Sequence, residues 1–230
     1  LFYGSITPGK IGSFSKMFHL KEHTQKDLGA CISSVTLERF LDLFMVASFA
    51  LIGSVIALKY FTGIFIEFLI LFLILIVILI LSFNEKTREW LIWTVFKILI
   101  PKKFKDRTRG SFQAFKETLL SPKQIITPVI LTIIAWAAIY TQSYCIALAL
   151  HMNIPFLPFI FISSIATIIT LIPITVGGIG TTEAAITVLF NRIFFIEPAT
   201  ALSMAIINRI VGLIVTIIGG VLSMKDEKYF

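Results

Sequence analysis

The chain has 230 residues, of which 57% are hydrophobic and only 14% charged, with a mean hydropathy of +0.94. A soluble globular domain carries about 25% charged residues, so the composition excludes that class and specifies a polytopic membrane protein. The net charge of +7 does not argue for nucleic acid: Lys and Arg cluster beside apolar stretches, where membrane orientation and anionic headgroups account for them.

The chain begins with Leu1, without a visible signal peptide, and reads as a piece whose N-terminal helices are missing. Its first motif is TPGKIG (residues 7–12), in which Pro8 and Gly12 break regular helix. LERFLD (37–42) follows, with Glu38, Arg39 and Asp42. Arg39 and Asp42 are three apart and share a helix face. Two readings stand here. Arg39 snorkels to the interface with Asp42 as its ion-pair partner, or it faces a polar cavity and binds phosphate through its forked guanidinium.

A membrane span needs about 20 apolar residues. The first is expected over 41–58, extending back through Arg39, and a short turn leads to the second at 63–83. The uniform Leu/Ile run of that second span predicts a lipid-facing helix without chemistry of its own. Residues 84–123 change character, with ten Lys/Arg against four Asp/Glu and with Trp90 and Trp93 three apart. This pattern predicts interfacial helices, and the positive-inside rule makes the segment cytoplasmic. The third span, 125–150, carries a polar stripe at Thr141, Gln142, Ser143 and Tyr144.

A fourth span is expected over 156–171. From Pro173 to Gly180 the chain cannot continue as regular helix, because Pro173, Gly177, Gly178 and Gly180 oppose it. A helix over 181–195 follows, and the last span, 199–223, ends at a basic, cytoplasmic C-terminus. Sixteen residues from Gly180 to Phe195 reach only ~24 Å, short of the ~30 Å hydrocarbon core. A half-helix or re-entrant hairpin is the economical solution.

Within GGIGTTEA, Thr181 or Thr182 is a suitable helix N-cap, and Glu183 suits the positive end of the helix dipole. The same break could instead cradle an anionic headgroup on its free N–H groups, with Glu183 neutralised by Arg209. Arg209, in INRIVG beside Asn208, lies about ten apolar residues from either end of its span. Snorkelling is difficult from there, so a cavity role is favoured. Each half of the chain thus offers a Pro/Gly break followed by an intramembrane Arg, 27 residues on (Gly12 to Arg39) and 29 residues on (Gly180 to Arg209). The parallel suggests an internal repeat around a polar site. The three histidines show no metal-ligand spacing, and GxSxG, P-loop and nucleotide-binding glycine fingerprints are absent from the sequence. No cofactor and no catalytic activity are expected.

These motifs together resemble the flippase-like integral membrane family that includes the transmembrane region of lysylphosphatidylglycerol synthases. The match rests on PGKIG with Lys16, LERFLD with Glu38, Arg39 and Asp42, PITVGGIGTTEA with Gly177, Gly178, Gly180 and Glu183, and INRIVG with Arg209. In order and spacing it covers essentially the whole chain as one domain. Where relatives often place an Arg before the late Glu, this chain has Thr182. The resemblance implies an all-α, polytopic transmembrane bundle with broken or re-entrant helices in the cell membrane. It further implies binding and translocation of an anionic phospholipid or polyprenyl-linked lipid, with a lipid-modifying transferase as the alternative context. The headgroup residues it implies are Arg39, Asp42, Gly178, Gly180, Glu183 and Arg209, supported by Pro8, Gly12, Glu38, Pro173, Gly177, Thr181 and Asn208.

Overall fold

The computed structural model describes residues 20–21, 28–81, 122–171 and 175–226. Every regular element among them is helical: α1 (Leu28–Ala57), α2 (Thr62–Leu81), α3 (Pro122–Ala149), α4 (Phe156–Leu171), a short 3-10 turn (Val176–Gly178), α5 (Thr181–Phe194) and α6 (Pro198–Asp226). Pro8, Gly12, Pro173 and residues 84–121 lie outside the described residues, and with Pro8 and Gly12 goes the first half of the expected repeat. Among the described residues, three stretches are long and apolar enough to cross a membrane: Ser34–Ala57, Ile126–Ala149 and Pro198–Gly219. Shorter apolar stretches, Phe65–Ile78 and Phe156–Thr170, lie in α2 and α4. α1 begins well before the span expected at 41–58, because residues 28–40 hold no Pro and no helix-stopping run.

The described chain divides into two compact units. One comprises Met45–Leu69 together with 135–226. In it, Ala47, Ala50, Ser54 and Ala57 form a fully buried small-residue stripe along α1. Small side chains let membrane helices approach closely, where lipid supplies no hydrophobic drive for association. Gly53, beside that stripe, lies so close to the Phe161 backbone of α4 that even a Cβ would collide with it. Phe49 fills the adjoining space between Phe161 and Tyr140, with centroid separations of 6.0 and 6.2 Å.

Two side-chain pairs fix the course of α4 and α5. Phe159, near the start of α4, meets Phe190, near the end of α5, at 5.5 Å between ring centroids. Thr170, near the end of α4, meets Thr182, at the start of α5, with hydroxyls 3.0 Å apart. The two helices are therefore an antiparallel hairpin with the glycine break at its tip. At 16 and 14 residues they reach only ~24 and ~21 Å, and neither matches a ~30 Å hydrocarbon core. After Phe195, whose φ of 57° is left-handed, α6 runs back antiparallel to α5 and buries Ala201, Met204 and Ala205. That i, i+3, i+4 spacing gives α6 one inward face. Its other faces expose Ile206, Ile210, Leu213, Ile214 and Ile217, as suits a helix bordered by lipid.

The second unit comprises 20–21, 28–44, 70–81 and 122–134 among the described residues. Cys31, Val35 and Leu75 are buried there, and Phe44 stands between Phe40 (6.2 Å) and Phe72 (5.6 Å). α2 exposes Ile66, Ile70, Leu73, Ile74 and Val77, as expected of a lipid-facing helix.

Candidate functional site

The glycine break is where helical backbone bonding stops, so its carbonyls need other donors. Gly177, Gly178 and Gly180 have φ of 60°, 71° and 83°. Gly178 could be no other residue here: its φ is left-handed, and a Cβ would lie 2.5 Å from Thr170 Cγ2 and 2.7 Å from Thr182 Oγ1. Its carbonyl accepts from the Thr182 hydroxyl at 2.8 Å and the Thr181 hydroxyl at 3.1 Å. Thr181 also sits 3.0 Å from Thr175, hydroxyl to hydroxyl. The N-cap of α5 is Gly180, not Thr181 or Thr182 as the sequence suggested. The threonine hydroxyls turn back to the tip carbonyl, leaving a residue without a side chain at the cap.

Glu183 supplies what the missing cap cannot. Its Oε2 accepts the Gly180 N–H at 2.8 Å, an acidic group at the positive end of the helix. This corrects part of the sequence reading, because that N–H is already satisfied by protein and is not free for an anion. Its other oxygen pairs with Arg209 Nε. Arg209 also donates from Nη1 to the Gly177 carbonyl at 3.2 Å and from Nη2 to the Gly178 carbonyl at 2.9 Å. One guanidinium thus joins α6 to both sides of the break. Five N–H donors are available on an Arg, and three are engaged with these partners.

The level of this junction follows from the sequence of α6. Arg209 stands eleven residues after Pro198 and ten before Gly219, the ends of its apolar span. Its side chain is 25% exposed and that of Glu183 is 13% exposed, so the pair is sheltered yet reachable. Asn208 faces α3, where Gln142 donates to its Oδ1 at 3.1 Å, while Asn208 Nδ2 donates to the Met204 carbonyl at 3.0 Å. Deeper in the packing, the Tyr140 and Ser164 hydroxyls lie 2.7 Å apart.

Of the residues singled out from the sequence, the structure brings together Gly177, Gly178, Gly180, Thr181, Glu183 and Arg209, with Asn208 adjacent. Glu38, Arg39 and Asp42 belong to the other unit and form a cluster of their own. There Arg39 pairs with Glu38 at 3.1 Å and Asp42 at 3.3 Å. Arg39 Nε and Thr36 Oγ1, three residues apart on α1, are buried without a partner among the described residues. Thr170, Thr175 and Tyr140 were not singled out. Thr170 carried one weak signal, being the last polar residue before the break.

This arrangement defines a class: a polytopic α-helical membrane protein in which a broken-helix hairpin is closed by an intramembrane ion pair. The chain belongs to the family described as lysylphosphatidylglycerol synthase TM region, whose profile matches residues 1–220. Among curated relatives, it is 26% identical to the UPF0104 membrane protein PH1989 of Pyrococcus horikoshii, covering 99% of this chain and 75% of that one. It is 24% identical to the UPF0104 membrane protein MJ1078 of Methanocaldococcus jannaschii, covering both chains in full. No solved structure matches the chain.

Proposed function

We propose that this protein binds a lipid by its phosphate-bearing headgroup and translocates it across the membrane, without catalytic activity of its own. The observation that carries the reading is Arg209, a cation half-way along an apolar span and held at the tip of a hairpin too short to cross. Ionisable groups at such depth are costly and recur where a polar solute is handled. The ion pair with Glu183 offsets much of that cost. The two guanidinium N–H donors without a partner among the described residues can take phosphate oxygens, for which the planar fork is well suited. The headgroup would travel along the polar side of the hairpin while the acyl chains stay beside the apolar faces of α3 and α6. We orient the protein with residues 84–123 and the C-terminus cytoplasmic, on the strength of their basic side chains.

The test is lipid scrambling by the full chain in reconstituted vesicles. Glu183→Gln and Arg209→Lys, each shown to retain its fold by thermal unfolding in detergent, are expected to slow scrambling at least ten-fold. Wild-type rates in both folded variants would remove the pair from the transport path. A second reading is favoured by the family description, which names a synthase: the chain is the membrane part of a lipid-modifying transferase system. Under it, scrambling is absent and a transferase copurifies with the protein from its native membrane.

A further inference from the structure

Glu183 stands where an anionic ligand would bind. Two donors converge on its carboxylate: the Gly180 N–H at the start of α5 reaches Oε2 at 2.8 Å, and Arg209 Nε of α6 reaches Oε1. A backbone N–H at a helix N-terminus and a guanidinium are both recurrent phosphate-binding groups. A carboxylate and the phosphate of a lipid diester each spread one negative charge over two oxygens, so one set of donors suits either. Both anions cannot hold it together, because like charges on one guanidinium repel. The surroundings permit an exchange. Ile179 and Gly180 are exposed, and the space that a side chain on Gly180 would fill is empty. Arg209 stays fastened to the Gly177 and Gly178 carbonyls through Nη1 and Nη2, and the Gly178 carbonyl also accepts from the Thr181 and Thr182 hydroxyls. These bonds brace the tip without Glu183.

Resting on the lipid-binding reading above, we infer that Glu183 is a built-in competitor of the lipid phosphate, displaced when the headgroup binds and expelling it on return. The phosphate settles first on the two guanidinium N–H groups without a partner among the described residues. It then takes over the Arg209 Nε–H and the Gly180 N–H, as the carboxylate swings toward the exposed cap of α5. The cation is paired with one anion or the other throughout, so it never stands bare at membrane depth. Glu183 thereby serves release as much as rest. A carboxylate acting only as a brace would instead be needed for binding, since its loss would let Arg209 drift.

The experiment measures retention of phosphatidylglycerol by the full chain in detergent, using native mass spectrometry, beside scrambling in vesicles. Glu183→Gln keeps the shape of the side chain and a carbonyl for the Gly180 N–H, but gives up the charge. It is expected to retain the lipid about ten-fold more tightly, close to the worth of one charge-assisted hydrogen bond, while scrambling slowly because nothing expels the headgroup. Glu183→Asp keeps the charge but is one methylene too short to reach both donors, so it should raise retention by a smaller factor. Arg209→Lys should lower it. Unchanged or weaker retention by folded Glu183→Gln, beside wild-type binding that Arg209→Lys weakens, would overturn the inference and leave lipid binding intact. Wild-type retention by Glu183→Asp would overturn it too, reducing Glu183 to a repelling charge, and this arm does not need the Gln variant to fold. Release of phosphatidylglycerol by excess inorganic phosphate would overturn the assignment to a lipid. Failure of the wild type and every variant to retain phosphatidylglycerol would sink the binding function proposed above, and the exchange with it.

Discussion

Thr170 and Thr182, from opposite arms of the α4–α5 hairpin, hold their hydroxyls 3.0 Å apart, and the space they close is the one a side chain on Gly178 would need. Left-handed backbone and close packing coincide at that position. Gly178→Ala should therefore cost about 3 kcal/mol, combining roughly 1 kcal/mol of backbone strain with the usual cost of overpacking. Gly180 has open space around it but φ 83° and ψ −46°, in the strained γ region outside the left-handed helical well, so Gly180→Ala should cost about 2 kcal/mol of strain with no overpacking added. Chemical unfolding of the two variants in detergent would separate them, and equal losses would refute the packing described at the tip.

Arg209 and Glu183 should behave as a coupled pair. Removing either partner strands a charge in a sheltered place, so Arg209→Ala and Glu183→Ala should each destabilise by about 3 kcal/mol. The double variant should lose less than the sum, because it leaves neither charge alone. Additive losses in a double-mutant cycle would mean that the two groups are solvated independently.

Gly53 permits a close helix approach, α1 against the backbone at Phe161. Gly53→Ala forces the two helices apart and should cost about 2 kcal/mol. Gly63, at the start of α2 with open space around it, should accept Ala without loss and serves as the control. A Gly53→Ala protein with wild-type thermal stability would contradict that contact.

Thr170→Val keeps the shape of the side chain and deletes its hydroxyl. Thr182 retains the Gly178 carbonyl as an acceptor, so the loss should be small, near the ~0.6 kcal/mol average for polar contacts between membrane helices. A loss above about 2 kcal/mol would show that the threonine pair, and not Arg209, holds the hairpin shut.

Much of this fold is legible in sequence because lipid simplifies the rules. Long apolar runs locate α1, α3 and α6, and the short stretch between Gly180 and Phe195 announces a helix that cannot span. Arg209 and Glu183 were recognisable as partners because a charge far from both ends of a span needs one, and few candidates exist. What sequence could not supply were the hydrogen bonds that depend on register between helices. Thr170 meets Thr182, and Gln142 meets Asn208, only because antiparallel helices set residues 12 and 66 apart side by side. The N-cap was misplaced for a related reason. Threonine is the better cap in isolation, but here the tip carbonyl of Gly178 engages both hydroxyls.

The carbonyls of Gly177 and Gly178 take their donors from a residue some thirty positions downstream, and that has a bearing on biogenesis. During synthesis α4 and α5, each too short to span alone at 16 and 14 residues, should settle in the bilayer only as a pair, once α6 has joined them. Their apex stays incompletely solvated by protein until α6 arrives with its cation. Chains interrupted between Ile196 and Arg209 should accordingly leave that hairpin at the surface, exposed to quality-control proteases.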